Sequence, residues 1–161
     1  IVTSGGVSVG EEDHVRPAVE AEGTILMWRI AMKPGRPLAF GQVAGAAFIG
    51  LPGNPVAVMV TFAAFVRPAL QQLMGWQAPA LPLLKAKSTE ALRKKPGRTE
   101  YQRGLVTRNA QGVLQVCTTG NQGSGVLSSM VQGNGLIVLH HEQGDVRPGD
   151  TVDVMMFDGV I

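Results

Sequence analysis

Cysteine is nearly missing from this chain, with Cys117 the only one in 161 residues. A lone thiol excludes an intrachain disulfide and any cysteine-based zinc cluster. It adjoins the alternating run Val113–Val116, so a buried structural thiol is expected rather than a nucleophile. Aromatics make up 5% and charged residues only 16%, while glycines number 21 and prolines 10. That balance excludes a coiled coil and a disordered polyelectrolyte, and leaves a loop-rich globular chain. The three histidines, His14, His140 and His141, lack metal-ligand spacing, and His140-His141 read as exposed polar residues at a strand end. No Ser-His-Asp arrangement with a nucleophile elbow is present. Nothing resembles a signal peptide, and the longest apolar run, Val56 to Val66, contains Thr61 and stops at Arg67-Pro68. It is expected to be too short to cross a bilayer, which makes a cytoplasmic protein the default and a membrane partner unexpected.

The chain starts at Ile1, mid-strand and without an initiator Met, and is expected to be a segment of a longer protein. Its length allows one ordinary domain or two small ones. The net charge of +2 is unevenly spread. Lys85, Lys87, Arg93, Lys94, Lys95, Arg98, Arg103 and Arg108 face only Glu90 and Glu100 over residues 85–108. This segment reads either as a solvated hairpin face or as an anion-facing surface. Nucleic acid is a minor option, because Tyr101 is its only stacking aromatic.

Periodicity predicts a strand end at Ile1–Thr3, a short helix over Asp13–Glu22 and a strand over Thr24–Met32. Leu38–Val43 and Ala46–Leu51 form an expected hairpin around Ala44-Gly45. Asn54 is a good N-cap and Pro55 an ideal first helical residue, so a helix is predicted from Pro55 to about Met74, ending at Gly75. Its early turns are apolar on nearly every side, which requires full burial or a partner. A proline-rich break at 77–82 marks a change of composition. Beyond it only strand signals appear: Leu83–Ala91, Thr99–Arg108, Gly112–Thr118, Gly135–His140 and Thr151–Met155. Residues 1–78 therefore read as an α/β piece, part of a doubly wound sheet whose missing elements would precede Ile1. Residues 79–161 read as a small all-β barrel or sandwich.

The chemistry-bearing string is Thr3-Ser4-Gly5-Gly6-Val7-Ser8-Val9-Gly10, followed by Glu11-Glu12-Asp13. A strand that breaks at glycines and restarts as a helix presents backbone N–H groups and small hydroxyls, which suits phosphate. Asp13 is either a helix cap or a carboxylate able to hold Mg²⁺ beside a phosphate. Arg29 and Lys33 have the even spacing that places both on one strand face. They are either exposed charges or a pair that meets an anion. Arg36 is a weaker candidate of the same kind. Downstream lie Lys33-Pro34-Gly35-Arg36-Pro37 and Gly50-Leu51-Pro52-Gly53-Asn54-Pro55, where Pro52 and Pro55 bracket a rigid loop.

Those three strings in order, continued by Lys95-Pro96-Gly97-Arg98, Gln102-Arg103-Gly104 and Thr119-Gly120-Asn121-Gln122-Gly123-Ser124, resemble the molybdopterin molybdenumtransferase family, whose animal relative is gephyrin. The resemblance covers essentially the whole chain as the C-terminal portion of such a protein. It implies insertion of molybdate into adenylylated molybdopterin, release of AMP, and a requirement for Mg²⁺. It implies Asp13 as the metal-holding acidic residue and Lys33 as a catalytic cation. Thr3, Ser4, Gly5, Gly6 and Ser8 would cradle phosphate, and Pro52 and Pro55 would shape the cofactor pocket. Arg29, Lys33, Arg103 and Ser124 would lie at the molybdate. Arg29 stands where lysine is expected. A homodimer is implied, with a molybdopterin adenylyltransferase and a recipient molybdoenzyme as partners. Two other readings stay open: another molybdopterin-binding superfamily domain, against which the β module argues, and a non-catalytic gephyrin-like scaffold.

Overall fold

The computed structural model describes residues 1–7, 14–76 and 82–157. In chain order they form β1 (Val2–Ser4), α1 (Val15–Glu22), β2 (Gly23–Arg29), β3 (Met32–Lys33), β4 (Pro37–Val43) and β5 (Ala46–Leu51). There follow α2 (Pro55–Thr61), a π-helical turn over Phe62–Val66, α3 (Arg67–Leu73), β6 (Leu84–Ser88) and β7 (Thr99–Arg108). The chain ends with β8 (Leu114–Thr118), α4 (Ser128–Gln132), β9 (Gly135–Leu139) and β10 (Thr151–Met156). They divide into two compact units, Ile1–Ile30 with Pro34–Trp76, and Ala31–Lys33 with Gln77–Ile161. Ser8, Glu11, Glu12 and Asp13, and most of the proline-rich break, lie outside the described residues.

The first unit is a mixed four-stranded sheet ordered β1-β5-β4-β2, in which β1 and β5 are parallel and the other pairs antiparallel. The hairpin turns at Ala44 (φ 48) and Gly45 (φ 79), the left-handed pair that a two-residue turn demands. Alternation along β4 and β5 supplies both faces of the sheet. Ala39 and Phe48 pack with Val7 and Val19 on one side, and Leu38, Ile49 and Leu51 with Val66 on the other. Burial on both faces explains why β5 reads as a continuous apolar run.

Pro55–Leu73 is one continuous helical run, and its π turn has a local cause. Pro68 has no N–H, and its ring would collide with the carbonyl four residues back in a regular helix. The widened turn moves that carbonyl, and Arg67 N–H donates to the Phe62 carbonyl instead. The run is 19 residues long, close to the helix predicted from Pro55 to about Met74, and it passes the length and composition test for a membrane span, which corrects the expectation, drawn from the apolar stretch Val56–Val66 alone, that it is too short to cross a bilayer. Such a test is also met by core helices of soluble proteins. Here Val56, Val60 and Val66 are fully buried, while Phe62, Phe65, Leu73 and Met74 are exposed.

In the second unit β7-β8-β6-β10-β9 close into a barrel, because β7 pairs with β8 through its second half and with β9 through its first. Ala86, Val106, Val116, Ile137, Leu139, Val152 and Val154 fill it. All five expected strands are present. The short helix α4 was not expected; its five residues are too few to show a period. Cys117 is half-buried, not buried: its neighbour Val116 takes the core-facing position, and successive strand residues point to opposite sides.

Two other expectations are corrected. The strand predicted over Thr24–Met32 ends at Arg29, after register shifts between Ile25 and Arg29. Ile30 N–H then donates to the Arg36 carbonyl, and Met32–Lys33 leave to pair in parallel with β7. Arg29 and Lys33 thus do not share a strand face; Arg29 lies opposite Pro37, and Lys33 opposite Glu100.

Candidate functional site

In the first unit the parallel pairing of β1 with β5 aligns Thr3 with Gly50 and Ser4 with Leu51, so both strands end side by side. Gly5 N–H donates to the Leu51 carbonyl at 3.1 Å and the Pro52 carbonyl at 3.3 Å, and Ser4 Oγ donates to the latter at 3.4 Å. Gly5 (φ 83) and Gly6 (φ 70) both adopt the left-handed conformation that side chains disfavour. A Cβ on Gly53 would stand 3.5 Å from Gly5 Cα, so the glycine turn lies directly against the Pro52–Gly53 loop. Two of the motifs recognised in the sequence are therefore one local structure.

Asn54 caps α2 as expected, its Oδ1 accepting from Val56 N–H at 3.1 Å and Ala57 N–H at 3.4 Å. Val58 N–H donates to the Asn54 carbonyl, and Pro55 has no N–H. The leading amides of α2 are thus already satisfied, which leaves oxyanion donation to the glycine turn. Pro52 is buried and its carbonyl is taken by Gly5 and Ser4, whereas Pro55 is exposed. Both prolines contribute shape. Thr3 Oγ1 is buried and makes no hydrogen bond among the described residues, an unsatisfied hydroxyl at the base of the turn. Arg29 and Arg36 are exposed.

In the second unit Lys33 projects from β3 with its side chain half exposed, and its Nζ stands 3.9 Å from Glu100 Oε2. Arg98 Nε donates to Glu100 Oε1 at 3.0 Å. Glu100 itself is only 3% exposed. Neither Arg98 nor Glu100 was among the expected site residues; Arg98 lies in the bend just before β7 and Glu100 on it, so no strand periodicity signals the pair.

Arg103 is 1% exposed, so burial pulls its guanidinium pKa below the ordinary value. Its Nε donates to Ser129 Oγ and its Nη2 to the Gly123 carbonyl, each at 2.9 Å. Gln122 binds both sides of the same residue: its Oε1 accepts from Arg103 N–H at 2.7 Å, and its Nε2 donates to the Arg103 carbonyl at 3.1 Å. The Gln102-Arg103-Gly104 and Thr119–Ser124 motifs are thereby locked together, with Ser124 exposed on the held loop. Gln122 was missed as a contributor, since a glutamine in a glycine-rich loop has no distinguishing pattern.

The basic segment does not present one uniform surface. Lys94 is 4% exposed, and its Nζ donates to the carbonyls of Lys95, His141 and Gln143. Lys85 and His140 both meet Asp153 at 2.7 Å. Tyr101 is half-buried, and burial raises its hydroxyl pKa, so it is not an open stacking platform.

Known proteins share both halves of this arrangement. Residues 1–72 match the family described as "Probable molybdopterin binding domain", and residues 85–157 the family described as "MoeA C-terminal region (domain IV)". A molybdopterin molybdenumtransferase of Haemophilus influenzae is 43% identical over 164 residues, covering 100% of this chain and 40% of that protein. Gephyrin of Dictyostelium discoideum is 34% identical over 179 residues, covering 97% of this chain and 25% of that protein. The chain joins a molybdopterin-binding domain to a MoeA C-terminal region, as molybdopterin molybdenumtransferases similar to it do.

It spans less than half the length of these two relatives. Among solved structures, a molybdopterin biosynthesis MoeA protein from Pyrococcus horikoshii matches in fold with a TM-score of 0.72 at 22% identity, over 97% of this chain and 36% of that one. A molybdenum cofactor biosynthesis protein from Pyrococcus furiosus matches with a TM-score of 0.68 at 28% identity, over 91% and 55%. The match to the MoeA C-terminal region falls on the barrel.

Proposed function

We propose that this protein inserts molybdate into the dithiolene of adenylylated molybdopterin and releases AMP, a step of molybdenum cofactor biosynthesis. The observation that carries the reading is the glycine turn seated on the Pro52–Gly53 loop, with the unsatisfied Thr3 hydroxyl beneath it. Small residues there let a phosphate approach the backbone closely, and Thr3, Ser4 and Ser8 supply hydroxyls to it. Pro52 and Pro55 keep the wall of that turn rigid. Arg29, Lys33 and Ser124 are the proposed donors to molybdate. Arg103 adds buried positive charge and holds the loop that carries Ser124. Such a site works by positioning and electrostatics, with little covalent chemistry supplied by the protein.

Asp13 is the proposed Mg²⁺ ligand and, with Lys33, the proposed catalytic residue. Among the described residues no three His, Cys, Asp or Glu side chains gather as a metal site. Asp13 would supply part of the ligand set beside substrate oxygens, the usual habit of Mg²⁺ at phosphates. Its chemistry there is to neutralise the charge that builds on the departing phosphate.

A homodimer in the cytoplasm completes the proposal, supplied by a molybdopterin adenylyltransferase and serving a molybdoenzyme. Phe62, Phe65, Leu73 and Met74, between 38% and 81% exposed along one helix, support self-association. Sedimentation of the full-length protein should show a dimer at micromolar concentration, and a monomer would contradict this part. The activity is tested by mixing full-length protein, adenylylated molybdopterin and molybdate. Molybdate-dependent AMP release and gain of a cofactor able to activate an apo-molybdoenzyme are expected. AMP release that leaves molybdopterin metal-free would overturn the reading.

A further inference from the structure

We propose that Glu100 is a positioning residue that makes Lys33 and Arg98 a paired oxyanion site on the second unit, with Arg98 a direct donor to the anion. The inference rests on the proposed molybdate chemistry for the identity of the ligand, but not for the geometry. A carboxylate as buried as Glu100 is costly unless matched by positive charge and hydrogen bonds. Here the match comes from two cations that remain about half in solvent, Lys33 with 52% and Arg98 with 45% of the side chain exposed. The trio carries a net charge of +1, with the negative member inside and both positive members outside.

The contacts also fix orientation. Arg98 reaches Glu100 through Nε, and its two Nη groups make no hydrogen bond to a described residue. That leaves the outer edge of the guanidinium to donate two parallel bonds to a tetrahedral oxyanion. Lys33 Nζ meets the other carboxylate oxygen at 3.9 Å, so one carboxylate sets the direction of both cations. The backbone beneath them is clamped. Thr99 N–H donates to the Ala31 carbonyl at 2.9 Å, and Gly97 N–H to the His141 carbonyl at 3.0 Å. The parallel register of β3 on β7 sets Lys33 opposite Glu100 itself. The ligand class is a compact divalent oxyanion, which in the proposed reaction is molybdate.

The sign of one substitution separates this role from that of a mere counter-ion. Glu100→Gln raises the local positive charge by one, so a carboxylate that only competed with the anion would, once removed, give tighter molybdate binding. A positioning carboxylate gives the reverse. Titration calorimetry of full-length protein with molybdate is expected to show binding weakened about tenfold in Glu100→Gln and in Arg98→Gln, with Glu100→Asp within about threefold of wild type. In steady-state assays the KM for molybdate rises while kcat at saturating molybdate and the KM for adenylylated molybdopterin stay put. If Glu100→Gln fails to fold, the half-exposed Arg98→Gln carries the test alone. Unchanged or tighter molybdate binding in Arg98→Gln or folded Glu100→Gln, with wild-type insertion intact, overturns the inference and leaves the proposed function standing. Weakened oxyanion binding in a wild-type background that inserts no molybdenum would instead remove the function and leave the site.

Discussion

In the first unit the only buried polar or charged residue among those described is Thr61, whose hydroxyl donates to the Ala57 carbonyl of its own helix. In the second, Lys94, Glu100, Arg103 and Asp153 are all buried, together with Ser88 and Ser129. The first unit makes its candidate site from backbone: glycines with positive φ, prolines and capped amides. The second makes its own from charged side chains held in place by hydrogen bonds. Backbone devices depend on residue types with unique conformations, whereas buried charges depend on partners distant in sequence.

If that contrast holds, the largest losses of stability belong to the barrel unit. Arg103→Met should cost roughly 3–5 kcal/mol, because it deletes two hydrogen bonds from a buried cation and leaves the Gly123 carbonyl without its donor. Chemical denaturation of full-length protein measures it, and a cost below about 1 kcal/mol would show the network to be incidental. Lys94→Met should follow at about 2–3 kcal/mol, since three carbonyls lose a shared donor.

Asn54→Ala, which removes the side-chain cap from the backbone amides of α2 in the first unit, should cost only about 1 kcal/mol, the usual worth of an N-cap. A loss as large as that of Arg103→Met would break the comparison.

The smallest effect concerns acid. Burial alone pushes the Asp153 carboxyl upward, but hydrogen bonds from Lys85 and His140, and then their charges, outweigh it and hold the pKa below the ordinary carboxylate value. A depressed folded pKa contributes stability that is present above the unfolded value, about 4, and is lost as pH falls through the lower folded value. Lys85 and His140 are both more than half exposed, so the contribution should not exceed about 1 kcal/mol. Asp153→Asn should flatten this acid limb in urea titrations below pH 4, and an unchanged limb would refute the pairing.

Much of the architecture was readable from local signals. Ala44-Gly45, Asn54-Pro55 and the short apolar, β-favouring runs of β8 to β10 each announce an element within a few residues. What escaped was non-local. Nothing near Lys33 reveals that β3 leaves the first unit to pair with β7, and the even spacing of Arg29 and Lys33 suggested one strand face that a bulge and a unit change abolish. The helix from Pro55 was legible in length, but the π turn over Phe62–Val66 that carries it past Pro68 was not. Arg103 and Lys94 read as members of a basic run, because burial of a charge is decided by carbonyls contributed from other loops. The phosphate-type turn was legible for the opposite reason, since glycine and proline state their backbone requirement directly.

Lys33 is where these lines meet, a cation supplied by the first half of the sequence but built into the second unit. Calorimetric titration of full-length protein with molybdate, wild type against Lys33→Ala, tests its role most directly. The expected result is affinity weakened by about 1.5–3 kcal/mol, roughly tenfold to a hundredfold, with the thermal unfolding midpoint nearly unchanged. Equal affinity for molybdate in the two proteins would contradict the assignment of Lys33 to the anion.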